Sequence, residues 1–157
     1  MLQEGLRLWA QTGSRIFRPI CLAFLAEAFD ADDKPDLAHR MFEEALRTVD
    51  ESGERWAEPE IHRLFGDFLT RRGPGVASIA SYEQAIAIAR AQGARSFELR
   101  ATTSLARVLS DQDRRAEAHD RLLSIYRFFK AGCHTTDLAD AKALLDELPY
   151  VSRGRDQ

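Results

Sequence analysis

A stride of 40 residues constrains the fold of this chain more than any other feature of its sequence. When the sequence is shifted by 40 positions, related residues coincide in six columns across three copies. The columns are Leu25, Phe65 and Leu105; Ala26, Gly66 and Ala106; Phe29, Leu69 and Leu109; Ala38, Ser78 and Ala118; Phe42, Tyr82 and Leu122; and Ala45, Ala85 and Ile125. Self-similarity at a fixed period is the signature of a repeat architecture. We therefore expect stacked copies of one structural unit.

The apolar residues within each copy recur at helical spacing. In the first copy they form two stripes, Leu22, Leu25, Ala26 and Phe29, then Ala38, Phe42, Ala45 and Leu46. Between the stripes, Pro35 suits the first turn of a second helix and Asp33 can cap it. Gly53 and Gly93 are placed to end the second helices with a positive φ. Each copy is therefore predicted to be two antiparallel helices joined by a short turn.

Small residues are predicted where the two helices of a pair face each other. They are Ala26 and Gly66 on the first helices, opposite Ala45 and Ala85 on the second. Small side chains there let two helix axes approach to about 8 Å. A charge forced into this space would unfold the array, so Ala85→Arg is expected to abolish folding.

Composition and charge exclude several classes of protein. The chain is 45% hydrophobic and 30% charged, which is typical of a globular protein. Its net charge of −3 is unsuited to broad binding of nucleic acid or an anionic membrane. The run at residues 20–26 is too short to span a bilayer, and the first residues lack the core of a signal peptide. Two cysteines give no disulfide framework. We expect a cytoplasmic protein that binds neither nucleic acid nor membrane.

The repeat columns resemble those of tetratricopeptide repeats. The usual repeat has 34 residues, and here about six more lie around SGERWAEPE and QGARSFELR. The stretches GERWAEPEIHRLFGDFL and AIARAQGARSFELRATTSLARVL are similar to the C-terminal helical region of large bacterial regulators. In those proteins the region follows a STAND-type ATPase module and often a class III adenylate/guanylate cyclase domain. The resemblance covers roughly residues 1–148 and implies an all-α, right-handed superhelical solenoid with a regulatory role in signal transduction.

The stride also predicts the organisation of the chain. The predicted segments are 1–13, the second helix of a truncated repeat; 14–53, 54–93 and 94–133, repeats 1, 2 and 3; 134–149, a capping helix; and 150–157, a disordered tail. Leu2, Leu6 and Trp9 would form an apolar face without a partner helix, so we expect chains to pair as a homodimer through this end. Thr135 or Thr136 can cap the last helix.

No catalytic, cofactor-binding or metal-binding motif stands out. The chain has no P-loop, no HExxH and no GxSxG motif, and DADDKPD lacks the glycine and glutamate of a calcium loop. Cys133 and His134 supply at most half of a metal-ligand set. Cys21 is expected in the core, and His39 and His119 on exposed faces. We therefore predict no cofactor and no enzymatic activity, and any cyclase or ATPase activity would belong to other segments.

The side of each first helix that faces away from its partner is the predicted functional surface. By resemblance to tetratricopeptide arrays, this side lines a concave groove that holds peptides. Its predicted contact residues are Glu27, Asp30, Glu60, Arg63, Asp67, Arg71, Arg100, Thr103 and Arg107, with Ala23 and Ser110 on the same side. The groove would grade from acidic to basic along the array. The alternative is a solvated helix face with local ion pairs, such as Glu60 with nearby arginines.

Two functions remain open from the sequence. The first is a protein-interaction module that binds a peptide, another protein or another domain of a parent protein. The second is a small-ligand sensor in which the superhelix closes on a metabolite. If the face is assigned correctly, changing Arg63 and Arg107 together to glutamate should alter binding and leave melting nearly unchanged.

Overall fold

The computed structural model describes residues 17–73, 75–129 and 135–148. In these ranges the chain forms seven α-helices and no strand. The helices are α1 (Arg18–Ala31), α2 (Pro35–Ser52), α3 (Glu58–Arg71), α4 (Val76–Gln92), α5 (Arg95–Asp111), α6 (Arg115–Tyr126) and α7 (Thr136–Glu147). The all-α prediction is confirmed. The helix and homodimer contact predicted for residues 1–13 and the tail predicted for 150–157 lie outside the described residues.

The helices pack as successive pairs. The most extensive contacts join α1 to α2, α3 to α4 and α5 to α6. In the described part of the chain, every helix contacts only the next helix or the next but one. The odd-numbered helices contact one another in the order α1, α3, α5, α7, whereas no such backbone contact joins α2 to α4 or α4 to α6. The stack is therefore closest along the odd-numbered helices; we call this side the inner face.

The helix ends follow the sequence at most turns. Gly53 and Gly93 both adopt left-handed backbone, with φ of 71° and 68°, and end α2 and α4 as predicted. Thr135 caps α7, where its hydroxyl oxygen accepts a hydrogen bond from the backbone N–H of Leu138 at 3.3 Å. These ends satisfy backbone groups that have no partner inside the helix.

The predicted cap of α2 is wrong. Lys34, not Asp33, occupies the N-cap, and its side chain makes no capping bond. Asp33 instead has a φ of 57°, because its own N–H and that of Lys34 donate back to carbonyls of Asp30 and Phe29 near the end of α1. Asp33 therefore belongs to the left-handed turn after α1 and is not the N-cap of α2 that the sequence pattern predicted.

The buried core follows the six repeat columns. Every residue of these columns is buried or half-buried, and the small residues Ala26, Ala38, Ala45 and Ala85 are fully buried. The buried apolar residues form two clusters, one from α1, α2 and α3 and one from α4 to α7. The seam between the two clusters therefore runs through the α3–α4 pair.

Two individual burial predictions are wrong. His119 is buried, with an exposed fraction of 8%, because α6 packs against both α5 and α7 and leaves only a narrow exposed stripe. Cys21 is half-buried rather than a core residue, although its neighbours Ile20 and Leu22 are buried. Cys21 therefore lies at the margin of the first cluster.

Gly66 allows the ring of Tyr82 to lie against the backbone of α3. A Cβ atom at Gly66 would be only 2.6 Å from the nearest ring carbon of Tyr82, and two more ring carbons would lie within 2.9 Å. The side chain closest to this Cβ position is thus Tyr82, which is on the partner helix α4 that also carries Ala85. The missing side chain makes room for a large aromatic ring at the seam.

Gly66→Ala should destabilise the protein. Alanine favours a helix over glycine by up to about 1 kcal/mol, but overpacking of this kind costs roughly 1–3 kcal/mol. In a Tyr82→Val background the ring is gone, so the same Gly66→Ala change should become neutral or stabilising. Chemical denaturation of the four proteins checks this reversal, and a Gly66→Ala effect of the same sign in both backgrounds would contradict it.

Candidate functional site

The inner face carries the nine sequence-predicted contact residues on α1, α3 and α5. Two adjoining clefts open on it. The α7 cleft, between α3, α5 and α7, has a volume of about 290 Å³ and is lined by Glu60, Arg63, Arg100, Thr103, Ser104, Arg107, Asp137 and Asp140. The α4 cleft, between α3, α4 and α5, has about 340 Å³ and is lined by Arg63, Asp67, Thr70, Arg71, Tyr82, Ser104, Arg107, Val108 and Asp111. Seven of the nine predicted residues line these clefts, and Glu27 and Asp30 line neither.

Arg63 lies between the clefts and is held on two sides. Its guanidinium donates to both carboxylate oxygens of Glu60, at 2.7 and 3.0 Å, and to Asp67 at 2.6 Å. Only 17% of its side chain is exposed. Burial alone would lower the pKa of Arg63, but the hydrogen bond and charge of Glu60, followed by the charge of Asp67, outweigh it and raise the pKa. Arg63 is therefore a fixed, fully charged group, and each of its three nitrogens already donates to a carboxylate.

Tyr82 extends this network from α3 to α4. Its hydroxyl donates to Asp67 at 2.7 Å and lies 3.1 Å from the hydroxyl of Thr70. Burial, followed by the negative charge of Asp67, raises the pKa of Tyr82 above its ordinary value. The phenol therefore stays protonated and acts as a donor that holds Asp67 in place.

Ion pairs also link successive odd-numbered helices. Asp30 accepts hydrogen bonds from Arg71, at 2.8 Å, and from Arg72. Arg100 donates to Asp137 at 2.7 Å, and its guanidinium is 3.8 Å from Glu60. The predicted gradient from acidic to basic is therefore largely cancelled, because acids and bases of neighbouring helices neutralise each other.

The pKa values of Asp30 and Glu27 are shifted in opposite directions. Burial would raise the pKa of Asp30, but the hydrogen bonds from Arg72 and Arg71 outweigh it, so this pKa is lowered. The pKa of Glu27 is raised, because burial outweighs the attraction of Arg63 and Arg71. Glu27 is thus a half-buried carboxylate whose charge is disfavoured.

Two predicted inner-face positions are buried. Ala23 is fully buried, since α1 packs directly against α3 on this side. Thr103 is also buried, and its hydroxyl donates to the carbonyl of Leu99 at 2.8 Å. Ser110 is half-buried and lines neither cleft. Because the odd-numbered helices pack closely, they bury part of the surface that a helical wheel of one helix shows as exposed.

The structure adds cleft residues that the sequence analysis missed. Ser104 lines both clefts, one position away from the predicted Thr103. Asp137 and Asp140 enter the α7 cleft from the helix that was interpreted only as a cap. Their spacing of three residues on one helix face was the available signal. Tyr82 was recognised as a repeat-column residue, but its polar end was not.

Arg107 differs from the other arginines of the clefts. Its side chain is exposed, and within the described ranges its guanidinium forms no ion pair or hydrogen bond, in contrast to Arg63, Arg71 and Arg100. It lines both clefts. Arg107 is therefore the cationic group of the inner face that remains available to a ligand.

Comparisons with known proteins do not indicate a function for this chain, so the functional conclusion rests on the inner face. No family model, no curated protein and no solved structure matches the chain. Among the described residues, no group of three histidine, cysteine, aspartate or glutamate side chains is placed to hold a metal ion; Cys133 and His134 lie outside them. None of the described helices has both the length and the apolarity needed to cross a membrane.

Arg63 and Arg107 should respond differently to the same substitution. Arg63→Gln leaves Glu60 and Asp67 without their shared counter-charge, which costs about 3 kcal/mol or more for a buried pair and lowers the Tm by roughly 10 °C. Arg107→Gln removes an exposed, unpaired charge and should change stability by less than about 0.5 kcal/mol. In place of the expectation that both arginines can be changed without loss of stability, we now predict this for Arg107 only. Thermal unfolding followed by circular dichroism measures both, and equal melting temperatures for the two variants would contradict the assignment.

Glu27→Gln should stabilise the protein in a pH-dependent way. The folded pKa of Glu27 lies above its unfolded value, so the cost of its charge is present above the folded pKa and disappears as the pH falls to about 4.3, the ordinary value for glutamate. The Tm gain of Glu27→Gln should therefore be largest near neutral pH and vanish below about pH 4. Glu51→Gln, at a side chain that is 69% exposed, is the control and should show no such trend. A gain that is independent of pH would argue against burial as the cause.

Proposed function

We propose that this chain is a tetratricopeptide-like array of helical hairpins that acts as a non-catalytic binding module and takes a peptide segment of a partner on its inner face. The observation that carries the proposal is the pair of adjoining clefts on this face, which share Arg63, Ser104 and Arg107. The hairpin pairing supports it, because α1 and α3 begin 40 residues apart and α2 and α4 end 40 residues apart. The third pair departs from this stride, since α5 begins 37 residues after α3.

The clefts have the dimensions of a short extended peptide. Their lining residues on α5 run from Arg100 to Asp111, a span of about 16 Å at 1.5 Å per residue. An extended chain rises about 3.3 Å per residue, so roughly five peptide residues fit along the two clefts. The exposed lining offers hydrogen-bonding groups along this whole length, which suits a peptide backbone.

A small-ligand sensor is the second candidate, and the cleft volumes favour it. About 290 and 340 Å³ lie at the lower end of the range for small-molecule sites, roughly 300–1,000 Å³. Such sites are lined mostly by apolar and aromatic side chains. The exposed surface of the α7 cleft is mostly polar, whereas apolar atoms make up more than half of the exposed surface of the α4 cleft. The α7 cleft therefore favours the peptide.

The biological setting of the module is part of the same proposal. The resemblance to cyclase-linked ATPase regulators supports a cytoplasmic regulatory or scaffolding region of a larger signalling protein. The partner is then either a separate protein or another domain of that larger protein.

Selection from a random peptide library tests the binding function. Wild-type protein should enrich related peptides that also bind as free synthetic peptides, and Arg107→Glu should weaken their binding about tenfold, the loss expected for one charge-assisted hydrogen bond. Arg47→Glu, an exposed arginine on α2 that is 64% exposed, is the matched control and should bind as wild type.

The opposite pattern would overturn the proposal. If no peptide is enriched, or if Arg47→Glu weakens binding as much as Arg107→Glu, the inner face is not a peptide site. If no peptide is enriched but a mixture of metabolites raises the Tm of the wild type and not of Arg107→Glu, the small-ligand sensor replaces it.

A further inference from the structure

The proposed peptide site contains one donor pair that the protein itself leaves unused. Arg107 and Ser104 lie three residues apart on α5, so both project from the same side of the helix, and both line the two clefts. Resting on the proposed function, we infer that this pair anchors a carboxylate side chain, so that the partner segment is an acidic peptide.

Ser104 stands out from the hydroxyl residues next to it. The hydroxyls of Thr102 and Thr103 donate to the carbonyls of Glu98 and Leu99, four residues earlier, at 2.7 and 2.8 Å. The hydroxyl of Ser104 makes no corresponding bond to Arg100 nor any other hydrogen bond in the described part of the chain. Ser104 is only 8% exposed, and the part of it that is exposed faces the two clefts. A hydroxyl in such a position is ready to donate to a ligand.

The other arginines of the clefts already have a carboxylate of the protein as counter-charge, although each guanidinium keeps N–H donors that are not engaged. Arg63 is engaged by Glu60 and Asp67, Arg71 by Asp30 and Arg100 by Asp137. An anion bound to any of them would share that guanidinium with a carboxylate that already neutralises its charge. Arg107 has no such partner in the described part of the chain, and its planar guanidinium matches the two oxygens of a carboxylate.

The charge of the clefts favours a single negative charge over a double one. The α4 cleft is lined by three arginines, Arg63, Arg71 and Arg107, and by the acids Asp67 and Asp111, which leaves one positive charge in excess. The α7 cleft is lined by three arginines and three acids and is balanced. One carboxylate neutralises the excess, whereas the dianion of a phosphate group would leave negative charge beside Asp111 and Asp140. The anchor is therefore assigned to glutamate or aspartate rather than to a phosphorylated residue.

Three blocked pentapeptides test this assignment by NMR titration of ¹⁵N-labelled protein. The probes are acetyl-Ala-Ala-Glu-Ala-Ala-amide, the same peptide with glutamine, and the same peptide with phosphoserine in place of glutamate. The glutamate peptide should shift the backbone signals of Ser104 and Arg107 and the Arg107 Nε–Hε signal in a saturable way. The glutamine peptide should bind about tenfold more weakly, the loss expected for one charge-assisted hydrogen bond, and the phosphoserine peptide no more tightly than the glutamate peptide.

Substitutions in the pair supply the second readout. Arg107→Gln should weaken the glutamate peptide about tenfold and bring it level with the glutamine peptide. Ser104→Ala should weaken it several-fold, as expected for one hydroxyl donor. Arg47→Gln, the control on α2, should leave the affinity unchanged.

Each remaining outcome counts against the inference. Equal binding of the glutamate and glutamine peptides, or no shift at Ser104 and Arg107, removes the carboxylate anchor. Tighter binding of the phosphoserine peptide replaces the carboxylate by phosphate. Neither result decides whether the inner face binds peptides, because that function is tested separately with the peptides that the random library yields.

Discussion

The structure depends on the close approach of its odd-numbered helices. Ala26, Gly66 and Ala106 occupy the same repeat column on α1, α3 and α5, and all three are buried. The odd-numbered helices contact one another while α2, α4 and α6 do not, and these contacts form the inner face. The small residues of the column let each odd-numbered helix pack closely against its partner, as Gly66 does against Tyr82.

Charges on the inner face stabilise the same contacts that create it. Asp30 with Arg71 joins α1 to α3, and Arg100 lies between Glu60 on α3 and Asp137 on α7. The partly buried members of these pairs are screened less than surface charges, so their geometry matters for how neighbouring helices are placed. Side chains with this structural role are poor candidates for ligand contact, which is why the charged inner face offers few free groups.

The sequence predicted the helices and the buried columns because both follow from the size and spacing of side chains along one helix. The sequence could not show that Arg63 is paired and Arg107 is not, since both are arginines on the same predicted face. The difference depends on carboxylates that neighbouring turns and helices bring close to Arg63. Ser104 was missed for a similar reason, since a helical wheel assigns no cleft to a residue at the edge of a stripe. His119 and Asp33 were misplaced because the packing of α6 and the backbone turn after α1 are not local properties of the pattern.

The α4 cleft spans the seam between the two apolar clusters. Its walls come from α3, which belongs to the first cluster, and from α4 and α5, which belong to the second. A bound segment in this cleft would brace the two halves of the array against bending at Gly66 and Tyr82. Binding in the α4 cleft would then make the array stiffer and change the shape of either half only a little.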